Sequence, residues 1–434
     1  MIDGNQSSKT RHRGVDFDTI PRDWEIVPIR RICTLNTGST PDRNQSAYWH
    51  GTVNWFSAKD LKSQRLAKSE ERITTLAVEE CVLNVHPRNS LVACFRSGIL
   101  RHTFPVAVAT EPFCVNQDLR AIGVSATSPT FLQYYLSGMN NAILASCRKI
   151  GATVESIETK WFLGFPALIP PADEQDRIVR HLDAKTAEID GLIGKLARQA
   201  ELLERYRREL IARTVTRGLN PDVPMKDSGI EWIGKVPATW SERPLKSMLR
   251  RVSIKNKPER RVLSVERANG VVDRATEGSP DNHNRLPDDL SGYLAVDSGQ
   301  FVMNKMKAWQ GSYGVSKLDG IVSPAYYVFD LRYPNLDFFN WAIRSDAYIP
   351  LFGRDSYGIR TDQWDFKISA LRLIPFFIPP VEEQAAIVDF LKRETKVLDS
   401  AVAGITKQIE LLGRYRKQVI NDLVTGKVRV EEAV

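Results

Sequence analysis

The residue groups in this chain that could carry chemistry are of two kinds. Some imitate a catalytic motif, and others are suited to gripping an anion or the edge of a base. Of the first kind, Gly229-Ile-Glu-Trp-Ile-Gly234-Lys235-Val236 has the outline of a phosphate-binding loop. It puts Val236 where a Mg²⁺-binding hydroxyl belongs, and Pro237 follows where a helix should begin, so both requirements of such a loop are missing. The six histidines (His12, His50, His86, His102, His181 and His283) form no HxH or HxxxH pair, the spacings that would direct two imidazoles at one metal ion. Asn220-Pro221-Asp222 lacks the aromatic companions of an amino-methyltransferase motif, and neither GxSxG nor GxGxxG occurs. No catalytic residue and no metal ligand is assigned. The expectation is a binding protein rather than an enzyme.

The second kind is richer. Thr37-Gly38-Ser39-Thr40-Pro41-Asp42-Arg43 is a loop dense in hydrogen-bond donors, and Arg96-Ser97 with Arg101 follow an apolar run. Asn116-Gln117 supplies two adjacent amides, the group that matches an adenine edge. Further along, Arg243, Lys246, Arg250, Arg251, Lys255, Lys257, Arg260 and Arg261 crowd into residues 243–261 with a single acid, Glu259. Such a cluster can hold phosphates. Lys305, Lys307 and Gln310, then Arg360 and Thr361, repeat the style of the first set. Lys and Arg on phosphates would set register, and Arg, Asn and Gln on base edges would set sequence. Each segment also has a plainer reading, as a turn, a cap or a salt-laced surface.

These residues must be positioned by elements that the chain writes twice. Residues 169–216 and 378–425 align at a constant offset of 209 with 20 identities in 48 positions, among them Ile-Pro-Pro, Glu174-Gln175 with Glu383-Gln384, and Arg205-Tyr206-Arg207 with Arg414-Tyr415-Arg416. A shorter echo opens each unit: Pro21, Trp24, Pro28, Ile29 and Arg30 return as Pro237, Trp240, Pro244, Leu245 and Lys246, offset by 216. Between echo and tail the two units share no visible likeness. The plan is variable head, shared tail, variable head, shared tail.

Each tail predicts a long helix. Apolar residues recur every three to four positions along a seam that includes Leu182, Ile189, Leu196 and Leu203 in the first, and Leu391, Leu398, Ile405 and Leu412 in the second. A sustained heptad seam asks for a helical partner. Each helix starts at its own head, and the first leads into the second unit. Paired helices must therefore run antiparallel, about a pseudo-two-fold axis. The alternative is a pair of ordinary core helices, each packed on its own head. Thr186/Thr395 and Arg207/Arg416 interrupt both seams. In the heads, 90–95, 105–109, 320–323 and 326–329 read as strands, and 128–146 and 336–348 as helices. The fold class is α+β. Its parts are a first mixed α/β head over 1–168, a long helix over 169–216, a linker over 217–236, a second head over 237–377 and a second long helix over 378–428.

Composition sets outer limits. The chain has 434 residues with net charge +8 and 42% hydrophobic content, which suits a multi-domain, core-forming protein. The excess positive charge lies in the heads. No run of 18 apolar residues and no apolar leader is present, so neither a membrane span nor a secretory signal is expected. The five cysteines all fall at or before Cys147 with no CxxC, which favours free thiols and a cytoplasmic location.

With these residues in view, the chain resembles the DNA-sequence specificity subunits of type I restriction–modification systems. The likeness rests on the Asp227–Trp240 entry, the Thr37–Pro41 loop with Tyr48-Trp49 and Trp55, Asn116-Gln117, and the duplicated Pro-Pro-x-x-Glu-Gln tail with its Leu-Leu-x-Arg-Tyr-Arg. The resemblance implies two target-recognition domains, each reading one part of a split, asymmetric site in double-stranded DNA, and two helices in an antiparallel coiled coil that sets the half-site spacing. It implies docking of two methyltransferase (modification) subunits and of restriction endonuclease/translocase subunits. S-adenosylmethionine, ATP and Mg²⁺ would then be used in those partners, with no cofactor in this chain. A non-catalytic coiled-coil scaffold whose heads bind protein is the competing reading.

Overall fold

The computed structural model describes residues 20–149, 154–274, 286–357 and 364–432, and the backbone of two short strands, Arg11–His12 and Val15–Asp16. It divides into two compact units. One comprises residues 1–195 with 407–434, and the other residues 196–406. Each unit therefore holds one head, part of the first long helix (Ala172–Arg217) and part of the second (Val381–Val424).

In the first unit the head is built on a five-stranded sheet ordered Cys33–Thr37, Leu119–Val124, Leu91–Cys94, Val106–Ala109, Arg65–Leu66. All neighbours are antiparallel except the last pair. Leu91–Cys94 and Val106–Ala109 are the unbroken apolar runs of the sequence, and every residue in them is buried, as expected of strands covered on both faces. A smaller sheet sets Trp49–Phe56 between Phe113–Val115, parallel to it, and Arg72–Ile73. Glu25–Pro28 pairs antiparallel with Pro166–Ile169. The start and end of the head are thus zipped together just where the long helix begins.

The second unit repeats this scheme with different side chains. Leu249–Val252, Tyr326–Leu331, Phe301–Asn304 and Tyr313–Val315 form an antiparallel sheet in the same order, and Ser241–Pro244 pairs with Pro375–Ile378. The heads share no visible sequence likeness, yet they share strand order, because strand pairing needs only the period-two burial pattern and not particular residues.

The seam expected from the sequence is the buried face of the helices. Leu182, Ile189, Leu391 and Ile405 are buried, and Leu196, Leu203, Leu398 and Leu412 are half-buried. Helix ends enter the head cores: Ile178 and Leu182 with Ile420, Leu423 and Val424 in the first unit, and Ile211 and Val215 with Ile387, Val388 and Leu391 in the second. Full burial of each such side chain contributes about 1.5–3 kcal/mol. In both units the contacting segments run antiparallel. The interruption at Arg207/Arg416 is a pair of inter-helix ion pairs. Arg416 holds Asp190 through two bonds of 2.8 and 3.0 Å, and Arg207 holds Asp399 at 2.8 Å. Arg207 repeats as Arg416 and Asp190 as Asp399, so the same register is written in both units. A polar pair in an apolar seam specifies register, since any slip would leave charges facing apolar side chains. The interruption at Thr186/Thr395 is milder. Each hydroxyl donates to a carbonyl one turn back, that of Leu182 or Leu391, at 2.6 Å.

Two helix expectations change. The helix expected over 128–146 is broken into Pro129–Gly138 and Asn140–Cys147. The break falls where the second long helix presses in. Asn421 Nδ2 donates to the Gly138 carbonyl at 3.0 Å, and a Cβ on Gly138 would lie 2.7 Å from a Val424 methyl. The helix expected over 336–348 ends at Ile343, and a second, Ile349–Arg354, follows. The stretch 217–236, read as a linker, is packed on the second head. Met225–Asp227 pairs with Lys235–Pro237, Ile230 and Ile233 are buried in the core, and Trp232 Nε1 donates to the Ala347 carbonyl at 3.0 Å. The glycines that imitate a phosphate loop, Gly229 and Gly234, both have φ of +69°. They serve a tight turn that L side chains disfavour.

Candidate nucleic-acid interface

In the first head the structure brings together three of the segments singled out in the sequence. The Thr37–Arg43 loop leaves the edge strand Cys33–Thr37 and passes so close to its neighbour that a Cβ at position 38 would lie 1.6 Å from the Val115 carbonyl oxygen. Only glycine fits. Two indoles then hold the loop's carbonyls: Trp55 Nε1 donates to Ser39 O and Trp49 Nε1 to Asp42 O, each at 3.0 Å. The rings meet edge to face at 5.3 Å. The Arg43 guanidinium lies 4.3 Å from the Trp49 ring centre and makes a two-pronged pair with Glu71. That pairing holds the Glu71 carboxyl below its usual range. The loop therefore has little freedom left to lose on binding, which favours affinity.

Asn116-Gln117 forms the turn into the strand Leu119–Val124. Asn116 is buried, and its Oδ1 accepts from the main-chain N–H groups of Asp118 and Leu119, each at 3.1 Å. Gln117 projects outward, and its Oε1 accepts from the Thr40 hydroxyl at 2.5 Å. Arg96 joins the same edge, its N–H donating to Asp118 O at 3.0 Å. Ser97 caps the short turn Gly98–Arg101. Arg101 faces Glu155 at 3.4 Å. Arg120, the second residue of that strand and not singled out in the sequence, lies over the Phe95 ring and donates to Gln117 O at 3.0 Å.

The second head offers a counterpart on the same scaffold. Lys305, Lys307 and Gln310 leave the strand Phe301–Asn304 as Arg96, Ser97 and Arg101 leave Leu91–Cys94. Lys305 is 3.9 Å from Asp365, Lys307 is exposed, and Gln310 is half-buried beside Trp309, which packs on Trp364. Ser323-Pro324 stands before Tyr326–Leu331 where Asn116-Gln117 stands before Leu119–Val124, so no amide projects there. In the basic cluster, successive strand residues point to opposite faces. Arg250 is held by Asp330, and Arg251 lies over the Tyr327 ring at 5.2 Å. Arg260 and Arg261 face Asp297 and Asp273, while Lys255 and Lys257 are exposed. Arg360 and Thr361 lie outside the described residues.

Changing Gly38 tests the loop. Gly38→Ala is expected to cost about 1–3 kcal/mol from overpacking against Val115 and to displace the loop. Thermal melting and duplex selection should both register the change. An unaltered melting temperature together with an unaltered selected motif would refute the close-approach argument.

These features define a class: a duplicated α+β chain with two heads on one strand order, each feeding one member of an antiparallel helix pair, and side chains at the loop tips that differ between the heads. Comparison with known proteins agrees. The family model described as "Type I restriction modification DNA specificity domain" matches residues 21–201. The chain is 31% identical over 179 residues to the type I restriction enzyme EcoR124I/EcoR124II specificity subunit of Escherichia coli, a match spanning 40% of this chain and 44% of that one. It is 25% identical over 434 residues to the type I restriction enzyme MjaVIII specificity subunit of Methanocaldococcus jannaschii, spanning 95% and 94% of the two chains. A chain from a solved structure titled for complex assembly and conformational transition of the type I R-M system shares the fold with a TM-score of 0.66 at 13% identity, covering 94% of this chain and 99% of that one. These matches are all to type I restriction–modification specificity subunits or their systems, and the chain spans about half the length of two such relatives, 44% of the Escherichia coli subunit and 58% of the type I restriction enzyme MjaIX specificity subunit of Methanocaldococcus jannaschii. Among the described residues, no helix is long and apolar enough to cross a membrane.

Proposed function

We propose that this chain is the non-catalytic, sequence-specific DNA-binding subunit of a cytoplasmic type I restriction–modification complex. Its two heads, over 1–168 and 237–377, read the two parts of a split, asymmetric site, and the helix pair sets the spacing between them. The observation that carries this reading is the pairing of a shared scaffold with unlike tips: the same strand order presents Gln117 in one head and Pro324 in the other. Two heads so built would read two different half-sites.

Docking of two modification subunits is supported by a second duplication. Leu202 and Tyr206 on the first long helix, and their repeats Leu411 and Tyr415 on the second, are about half exposed. An apolar pair one turn apart on a helix surface suits an amphipathic partner, and its repetition suits two copies of one partner. Methyl transfer from S-adenosylmethionine, and ATP- and Mg²⁺-dependent cleavage by restriction subunits, then take place in those partners.

Titration of a duplex against the full-length chain at rising salt tests the function. A DNA reader that neutralises six to ten phosphates loses roughly 10³- to 10⁵-fold in affinity between 50 and 200 mM salt. A scaffold whose heads bind protein shows no duplex binding that collapses in this way, and that outcome would favour the scaffold.

A further inference from the structure

We propose that Gln117 is the residue with which the first head reads an adenine edge, and that Thr40 and Arg43 are positioning residues that hold it for that task. This deepens the DNA-reading function proposed above and rests on it.

The choice comes from asking which candidate side chain at this edge is exposed, held in place and still has hydrogen-bonding capacity to offer. Arg43 is exposed, but its fork is turned onto Glu71 and its face onto Trp49, and a guanidinium has no acceptor for the adenine N6 donor. Held in this way, it is a strut for the loop. Asn116 is buried, with its carbonyl engaged by two main-chain N–H groups, and Arg101 is turned toward Glu155. Gln117 alone of these meets all three conditions. Its main chain is fixed by the bond from Arg120 to its carbonyl, and its amide plane is fixed by the Thr40 hydroxyl at Oε1. Thr40 is itself set by the close approach at Gly38 and by the bond from Trp55 to Ser39. Among the described residues, neither hydrogen on Nε2 has a protein acceptor, and Oε1 keeps a second lone pair. One donor and one acceptor on a planar amide match the N7 acceptor and N6 donor that adenine alone presents in the major groove.

The second head has Pro324 at the corresponding turn. The amide is therefore a device of one half-site only, and disturbing it should leave the other half-site unchanged.

The test is selection from a randomised duplex pool by the full-length chain, for the parent, Gln117→Glu and Thr40→Val, with melting temperatures recorded for all three. The parent should require adenine at a position in one half-site. Gln117→Glu removes the donor and leaves an acceptor. It should lower the preference for adenine there by roughly 5- to 150-fold and shift it toward cytosine, whose N4 donates. The remaining positions and the spacer should stay as in the parent. Thr40→Val should weaken the same position and no other. A folded Gln117→Glu protein that keeps the parental motif overturns the inference. So does one that loses affinity for all sequences alike, the signature of a phosphate contact. So does a change at a position that is not adenine in the parent. If the parent selects no motif at all, the DNA-reading function itself fails, an outcome distinct from a parental motif that the variants leave intact.

Discussion

Inserting one heptad after Arg198 together with one after Lys407 is expected to abolish recognition of the parental site and to select the same two half-sites with a longer spacer. The insertion points lie between Asp190 and Arg207 on the first helix and between Asp399 and Arg416 on the second. Both inter-helix ion pairs keep their partners, and seven added residues keep the apolar seam in phase. At about 1.5 Å per residue the added length is roughly 10 Å, near the rise of three base pairs. Heads that can no longer engage both half-sites together forfeit the advantage of linked binding, roughly 10²- to 10⁴-fold. Selection from duplexes with randomised spacers reads the result. A folded double-insertion protein with unchanged spacer preference would remove the helices' measuring role. Inserting into one helix only supplies the control. It cannot satisfy both ion pairs at once and should lower the melting temperature.

The second large effect is expected at the junction where each head meets the helices. In the second unit, Trp240 is 1% exposed and its Nε1 donates to Glu383 Oε2 at 3.0 Å. Gly218, with φ of +73°, ends the first long helix against that ring and that carboxylate. In the first unit, Trp24 Nε1 donates to Glu174 Oε2 at 3.0 Å, and Gly426, φ +71°, ends the second long helix against Trp24 and Pro21. Arg429 then bridges Glu174 and Asp23. Head entry, the start of one helix and the end of the other thus meet on one indole in each unit. Trp240→Ala should remove about 3–5 kcal/mol, a fall of roughly 6–20 °C in melting temperature for a unit of this size. Trp240→Phe keeps most of the apolar volume and loses only the donor, so it should cost about 1–3 kcal/mol. A Trp240→Ala protein that melts within a degree or two of the parent would show that the junction does not hold the unit together.

The residues at this junction also show where sequence reading stops. Trp24 and Trp240 stood out as echoes, and so did Glu174 and Glu383, but nothing in their spacing shows that indole and carboxylate meet across 150 and 143 residues of chain. Arg207 and Arg416 were visible as flaws in the seam, and Asp190 and Asp399 as ordinary identities of the repeat. Their pairing across the helices explains both. Gln117 and Thr40 were each picked out by chemistry, and only the fold put one hydroxyl on the other's amide. Glu71, which occupies the fork of Arg43, was not singled out at all.

What the sequence determined by itself was everything carried by short-range periodicity and by self-comparison. This includes the duplication, the two long helices and their apolar face, the apolar strands of the heads, and the absence of a recognisable catalytic motif. These are legible because burial in a helix or strand repeats every few residues along the chain. The tertiary structure alone decided which distant residues touch. It broke the helix at Gly138 against Asn421, packed 217–236 onto the second head, gave two unlike heads one strand order, and separated side chains engaged within the protein, such as Asn116, from exposed ones such as Gln117. Such contacts depend on the closing of long loops and on shape complementarity across them. Neither leaves a local pattern to read.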